Sequence, residues 1–173
     1  MLWEICQSRS LPTDSFNEAK FSVAKVAVST LLLLSLAAIG KSAIAAEHEV
    51  TAVAVKYDPV FLYVEKGDTV TWTSMAGHNV ETLEAMSPEG QEKLNTELGE
   101  NVTAVFETEG IIVYKCTPHW GARMGGIVVV GKPDDPGAII DAYLATLETD
   151  KTNLPAKGLL KKLRKDMESK GLL

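Results

Sequence analysis

Between His48 and Gly131 the sequence is a succession of short runs in which apolar and polar residues alternate. The runs are HEVTAVAVKY, VFLYV, TVTWT, NVTAVFETEG, IIVYKC and GGIVVVG. Alternation with a period of two, together with many Val, Thr and Tyr residues, is typical of β-strands. Because the runs are short and Gly or Asp residues separate them, we predict a mainly β fold over residues 46–131. The expected architecture is an antiparallel Greek-key β-sandwich.

After Gly131 the spacing of apolar residues becomes helical. Asp135 precedes Pro136, a pair that suits the N-cap and the first position of a helix. The apolar residues of the first helix are Ile139, Ile140, Tyr143, Leu144 and Leu147. A second helix has an apolar face of Leu159, Leu160, Leu163 and Met167 and a basic face of Lys161, Lys162, Arg164 and Lys165. We expect residues 132–173 to form a helical extension packed on the sandwich, although a membrane-surface helix would show the same pattern.

The N-terminal part of the sequence has the pattern of a secretory signal. Residues 26–40, VAVSTLLLLSLAAIG, are uncharged and largely apolar, and they lie between Lys25 and Lys41. This run is shorter than the about 20 residues of a membrane span, and Ala43 and Ala45 suit cleavage after Ala45. We therefore predict that residues 1–45 are a signal peptide with an over-extended start. An uncleaved membrane anchor is the alternative.

The charge of the chain argues against one broad class of partner. The sequence has 17 Lys and Arg residues against 23 Asp and Glu residues, a net charge of −6. Such a chain lacks the basic surface on which non-specific nucleic-acid binding depends, so we expect no nucleic-acid partner. Eight glutamates lie between Glu81 and Glu109, a segment with a single lysine.

Only one cysteine remains after removal of the signal, because Cys6 lies within it. Cys116 is followed by His119 and Met124 in the segment YKCTPHWGARM. A lone thiol in an oxidising compartment has no disulfide partner in its own chain, which favours a thiol held by a metal. A Cys–His pair can also form a nucleophile, but that chemistry needs a third, orienting group and leaves Met124 without a role.

A metal site uses every member of this set. His78 lies in a separate segment, before the apolar residue Val80, at the expected start of an apolar strand. With Cys116, His119 and Met124 it supplies two imidazoles, a thiolate and a thioether, the ligand set of blue-copper electron-transfer sites. Soft sulfur ligands favour copper, and zinc sites rarely use a thioether. We predict that these four residues bind one copper ion, as Cu(II) or Cu(I).

Four protein ligands leave no open position for a substrate, which disfavours catalysis at the metal. The expected function is therefore one-electron transfer by a protein that is not an enzyme. A copper-binding or copper-delivery protein without a shuttle role is the alternative. Reversible oxidation together with an intense visible absorption would distinguish an electron carrier from a copper-binding or copper-delivery protein.

The third histidine offers a separate hypothesis. Cleavage after Ala45 would leave Ala46-Glu47-His48 at the new N-terminus. An amine, two amide nitrogens and an imidazole can bind Cu(II) in a square plane. The simpler interpretation is an incidental histidine near the chain end.

The ligand segments and their surroundings resemble those of the cupredoxins, and among them the pseudoazurins. The segments that carry the resemblance are YDPVFLYVEKGDTVTW, GHNVET, SPEGQEKLN and CTPHWGARMGGIVVVG, followed by the two helices. The resemblance extends from about Val50 to the C-terminus. It implies a monomeric periplasmic electron carrier with copper bound by His78, Cys116, His119 and Met124.

The resemblance also implies partners, namely an electron donor and a denitrification reductase such as nitrite reductase. Docking would use the edge of His119 and an apolar patch of Pro118, Trp120 and Ala122, with Arg123 at its rim. Trp120 and Arg123 depart from the tyrosine and glycine more frequent in the family, and the usual ring of lysines is sparse. From the glutamates between Glu81 and Glu109 we therefore expect a partner with a positive docking face, and charge reversal at Glu84, Glu89 and Glu92 would test this. The alternative is that these glutamates only solvate an exposed connection.

Overall fold

Eight strands form two four-stranded sheets that enclose the main hydrophobic core. The computed structural model describes residues 44–173, so nearly all of the predicted signal lies outside the described residues. The strands are β1 (Glu47–Val53), β2 (Lys56–Asp58), β3 (Phe61–Val64), β4 (Thr69–Thr73), β5 (Glu81–Thr82), β6 (Val102–Val105), β7 (Gly110–Lys115) and β8 (Gly125–Val130). One sheet has the order β2-β1-β4-β6 and the other β3-β8-β7-β5. The predicted β-sandwich is confirmed.

Each sheet contains one parallel pair of strands. β1 pairs in parallel with β4, and β3 pairs in parallel with β8. The sheets are therefore mixed, and the predicted antiparallel arrangement is corrected at these two pairs. Parallel neighbours need a crossover connection, and here the chain makes it by visiting the opposite sheet between the paired strands. The period-two pattern identifies strands, but it carries no information about which strand lies beside which.

The strands β7 and β8 are buried on both faces. Side chains at alternate positions, such as Ile112, Tyr114 and Val128, belong to the core between the sheets. Their neighbours Ile111 and Ile127 belong to a second core on the outer face of the same sheet. Because both faces of these strands are buried, nearly all of their residues are apolar, and the sequence shows continuous apolar runs there rather than alternation.

Two helices cover the outer face of β7 and β8. They are α1 (Pro136–Thr146) and α2 (Ala156–Ser169), and both contribute buried residues to the second core. The Asp135 side chain accepts a hydrogen bond from the Ala138 N–H at 2.8 Å, which is the predicted N-cap. The expectation of two C-terminal helices is thus confirmed. Within residues 44–173, neither helix combines the length and hydropathy required to cross a bilayer.

A buried carboxylate attaches the start of β1 to the turn before β4. Asp68 is 5% exposed and accepts hydrogen bonds from the Ala46 N–H at 2.7 Å and the Glu65 N–H at 2.9 Å. The oxygen that accepts from Glu65 also lies 2.8 Å from the His48 ring, and the Ala46 N–H binds the other oxygen. The pKa of Asp68 is lowered, first by the Ala46 N–H and then by the His48 ring, because both interact with the ionised form.

We expect Asp68→Asn to reduce the unfolding free energy at neutral pH by about 2 kcal/mol, since an amide cannot accept all of these hydrogen bonds. The pKa of Asp68 is lower in the folded than in the unfolded chain. The carboxylate's contribution is therefore complete above the unfolded value of about 4 and is lost as pH falls through the folded value. The check is chemical unfolding from neutral to acidic pH, in which the variant should lose part of the acid dependence. The exposed Asp134→Asn serves as control, and an Asp68→Asn protein with unchanged stability at neutral pH would contradict the assignment.

Candidate metal centre

The loop between β7 and β8 is closed on itself by backbone hydrogen bonds. Cys116 follows β7, and residues Thr117–Ala122 form a short 3₁₀ helix. The His119 N–H donates to the Cys116 carbonyl at 3.2 Å, and the Met124 N–H donates to the His119 carbonyl at 3.2 Å. The Cys116 N–H donates to the Met124 carbonyl at 2.9 Å. The backbone of all three predicted ligands is therefore connected within one loop.

His78 lies in the connection between β4 and β5. Its N–H donates to the Met75 carbonyl at 2.8 Å, and its own carbonyl accepts from the Gly99 N–H at 2.8 Å. The expectation that His78 begins an apolar strand is wrong, since β5 begins at Glu81. The two backbone hydrogen bonds nevertheless fix the position of His78 relative to Met75 and Gly99.

Three predicted ligand atoms converge in the described structure. The Cys116 Sγ lies 3.6 Å from the His78 Nδ1 and 3.4 Å from the His119 Nδ1. The three atoms all lie within 4.8 Å of one another. A metal bound at about 2.0–2.3 Å from each atom in trigonal or tetrahedral geometry separates its ligand atoms by roughly 3.4–3.8 Å. The two sulfur–nitrogen distances therefore fit a shared metal ion.

The fourth predicted ligand, Met124, is fully buried (0% exposed) in the core that also contains Cys116. Cys116 is equally buried, and His78 is 8% exposed. His119 is only partly buried, so its imidazole is the member of the set nearest to solvent. Two imidazoles and a thiolate, with a thioether in the same core, form a donor set that suits copper.

Burial also favours the neutral form of the first histidine, His78. The pKa of His78 is lowered, mainly because burial disfavours the charged imidazolium and further because His119 lies close by. The two rings have centroids 4.8 Å apart. A lowered pKa favours the neutral imidazole, which is the form that binds a metal.

The family to which the chain belongs follows from comparison with known proteins. The sequence model of one protein family, the copper-binding proteins of the plastocyanin/azurin family, matches residues 44–131. The chain belongs to this family. The predicted resemblance to cupredoxins is confirmed, and so is the expected cofactor, copper.

Pseudoazurins are among the most similar relatives of this cupredoxin. The pseudoazurin of Paracoccus pantotrophus is 35% identical over 113 residues, covering 61% of this chain and 76% of that protein. The pseudoazurin of Methylorubrum extorquens is 35% identical over 80 residues, which cover 46% of this chain but only 54% of the relative. The crystal structure of pseudoazurin from Methylobacterium extorquens has a TM-score of 0.57 at 27% identity, covering 68% of this chain and 98% of that one.

A polar network beside the predicted ligands was not expected from the sequence. The Asn79 side chain accepts from the Thr117 N–H at 2.8 Å and donates to the Thr117 hydroxyl at 3.2 Å. That hydroxyl donates to Glu81, which also pairs with Lys115 at 3.1 Å. The network joins the neighbour of His78 to the neighbour of Cys116. Its only signal in the sequence is the adjacency of Asn79 and Thr117 to predicted ligands.

Trp120 lies elsewhere than the sequence suggested. We expected it in an exposed patch beside His119, but it is 7% exposed and belongs to the core beneath the helices. Its Nε1 donates to the Asn153 side chain at 3.2 Å. Pro118, Ala122 and Arg123 remain exposed as expected.

The arrangement around His48 competes with the hypothetical N-terminal Cu(II) site. His48 belongs to β1, which pairs with β4 from Glu47 onward. Its ring and the Ala46 nitrogen both contact Asp68. A square-planar site would need the amine, two amide nitrogens and the imidazole of this segment to leave those partners.

Proposed function

We propose that this cupredoxin is a periplasmic electron carrier that binds one copper ion through His78, Cys116, His119 and Met124. The observation that carries the proposal is the convergence of two imidazole nitrogens on one buried thiol, at distances that suit a shared metal. When bound there, copper would accept and release one electron. The chain's own contribution is to hold these donors in fixed positions while the surrounding core excludes water.

Burial of the ligands favours the carrier over a copper-delivery protein. Cys116 and Met124 are fully buried, so a recipient protein would have to open the core to reach either sulfur. A one-electron carrier needs only one ligand edge near the surface, and His119 supplies it.

The test of the proposed function uses the processed protein loaded with copper. We expect one copper ion per chain, an intense thiolate-to-Cu(II) absorption and reversible one-electron oxidation and reduction. A colourless copper complex, or a copper ion lost in each reduction cycle, would contradict the carrier and favour the delivery protein.

We further propose three functional segments: a signal peptide at residues 1–45, the sandwich at 46–131 and the helical extension at 132–173. The small-residue site before Ala46 supports the first boundary. The start of β1 at Glu47 and the end of β8 at Val130 support the other limits. N-terminal sequencing of the exported protein would locate the cleavage site directly.

The proposed partners are an electron donor and a reductase such as nitrite reductase, reached by a monomeric carrier through the His119 edge. Exposed Pro118 and Ala122 flank this edge, which suits the small interface of a brief redox encounter. Charge around such an interface chiefly sets the association rate. The exposed acidic residues nearest to the edge are therefore the ones to test.

The structure changes which glutamates are suited to that test. From the sequence, Glu84, Glu89 and Glu92 were the candidates, but Glu84 is paired with Lys93 at 2.8 Å. Between Glu89 and Glu92 lies Gln91, whose side chain contacts Thr108 and Val105, and Val105 pairs with the start of β4. That end of β4 is remote from His78, which follows the other end. Glu97 and Glu100 are exposed on either side of Gly99, which binds the His78 carbonyl.

We expect the second-order electron-transfer rate with the physiological partner to fall as salt is added, since opposite charges accelerate docking. Charge reversal at Glu97 and Glu100 should slow the reaction several-fold at low salt, whereas reversal at Glu89 and Glu92 serves as a matched control. Stopped-flow kinetics over a range of ionic strength measure both effects. A rate that rises with salt, or equal effects of the two pairs, would exclude acidic docking at this edge.

A further inference from the structure

Tyr57 is a fully buried residue of β2 whose hydroxyl reaches the metal centre. The side chain is 0% exposed, and its hydroxyl donates to the Asn79 carbonyl at 2.5 Å. Tyr57 and Asn79 are 22 residues apart and belong to different elements. The hydrogen bond therefore connects the sheet of β1, β2, β4 and β6 to the residue that follows His78.

Asn79 and its neighbour Val80 make two further contacts to other segments. The Asn79 side chain holds the Thr117 N–H, and Val80 donates to the Thr96 hydroxyl at 2.9 Å. A phenol that holds the Asn79 carbonyl consequently holds the Asn79 backbone. It thereby also supports the contact between the His78 segment and the Cys116 loop.

We propose that the Tyr57 hydroxyl is a positioning group for the copper centre, which holds the His78 segment in its binding geometry before the metal arrives. This inference rests on the copper site proposed above. Preorganisation raises affinity because the protein does not have to order the segment during binding. Removal of the hydroxyl would let the Asn79 peptide reorient in the copper-free protein.

The chain contains a matched control for this role. Tyr114 lies in the same core, with its ring centroid 5.1 Å from that of Tyr57. Among residues 44–173 its buried hydroxyl has no hydrogen-bond partner. Tyr57→Phe and Tyr114→Phe therefore each remove one buried oxygen from neighbouring rings, but only the first breaks a contact to the ligand segment.

Two measurements test the proposal. In copper-free protein, amide hydrogen exchange at Thr117 should become faster in Tyr57→Phe and stay unchanged in Tyr114→Phe. Neither tyrosine forms a hydrogen bond with Thr117, so a faster exchange would be transmitted through Asn79. In competition with a chelator, Cu(II) binding should weaken about three- to tenfold in Tyr57→Phe, the loss expected for one hydrogen bond, with a shifted thiolate absorption. Unchanged Thr117 exchange, or equal copper affinities in the two variants, would overturn the proposal.

The outcomes separate this inference from the proposed function. A wild-type protein that binds no copper would overturn the copper site, whereas Thr117 exchange would still decide whether Tyr57 positions the loop. If Tyr57→Phe does not fold, NMR of the wild-type hydroxyl proton replaces it. A slowly exchanging hydroxyl proton in the copper-free protein supports the role, and a rapidly exchanging one contradicts it.

Discussion

Cys116→Ser is expected to abolish the thiolate-to-Cu(II) absorption completely while leaving the sandwich folded. Cys116 supplies the only thiol in residues 44–173, so no other described side chain can replace it. Serine is slightly smaller and close in shape, and the neighbouring backbone hydrogen bonds of the loop do not involve the side chain. Visible absorption after copper addition and far-ultraviolet circular dichroism measure the two effects. A Cys116→Ser protein that keeps the intense absorption would contradict the ligand assignment.

Met124→Leu is the companion variant that separates the two sulfur ligands. Leucine conserves most of the volume of a buried methionine and removes only the thioether donor. A weak axial ligand stabilises Cu(II) more than Cu(I), so its loss should raise the reduction potential while the thiolate absorption remains. Voltammetry and absorption together check this result. A potential that is unchanged or lower would show that Met124 does not act as the axial ligand.

Trp120→Ala is expected to cause the largest loss of stability, about 3–5 kcal/mol, because it empties a buried aromatic site. The ring lies against β8 and α2: a Cβ on Gly125 would come within 2.8 Å of the indole and 3.0 Å of the Leu159 side chain. The indole N–H is bound to Asn153, in the connection between α1 and α2. Asp150 holds Asn153 in turn, with 2.6 Å between the Asn153 Nδ2 and an Asp150 carboxylate oxygen. The helical extension thus anchors the loop that carries Cys116 and His119.

Chemical unfolding of the copper-free protein measures this effect, since bound copper would add its own stabilisation. Leu154→Ala is the control. Leu154 lies in the same connection but is 42% exposed, so its removal should change the unfolding free energy by about 0.5 kcal/mol or less. Asn153→Ala should have an intermediate effect of about 1 kcal/mol, from the lost hydrogen bond. Copper should also dissociate faster from Trp120→Ala than from Leu154→Ala. Equal stability of these two variants would show that the extension does not support the loop.

Local patterns were sufficient to predict the elements and most of the proposed ligands. Apart from β5, the strands lie largely within runs of alternating or continuous apolar residues, and the Asp135-Pro136 pair marks the start of α1. Cys116, His119 and Met124 lie within nine residues, so their chemistry can be recognised without knowledge of the fold. Strand propensity, helix capping and metal preference all act over such short distances.

Contacts between distant segments could not be inferred in the same way. The approach of His78 to Cys116 spans 38 residues, that of Tyr57 to Asn79 spans 22, and that of Trp120 to Asn153 spans 33. Each depends on which strands become neighbours, and the parallel pairs β1–β4 and β3–β8 are not specified by the alternation of side chains. The amino-acid pattern thus determines the elements and the donor set. The packing of the sheets and helices determines that Tyr57 reaches the ligand segment and that Trp120 is buried, because a side chain's partners depend on tertiary neighbours that no local pattern encodes.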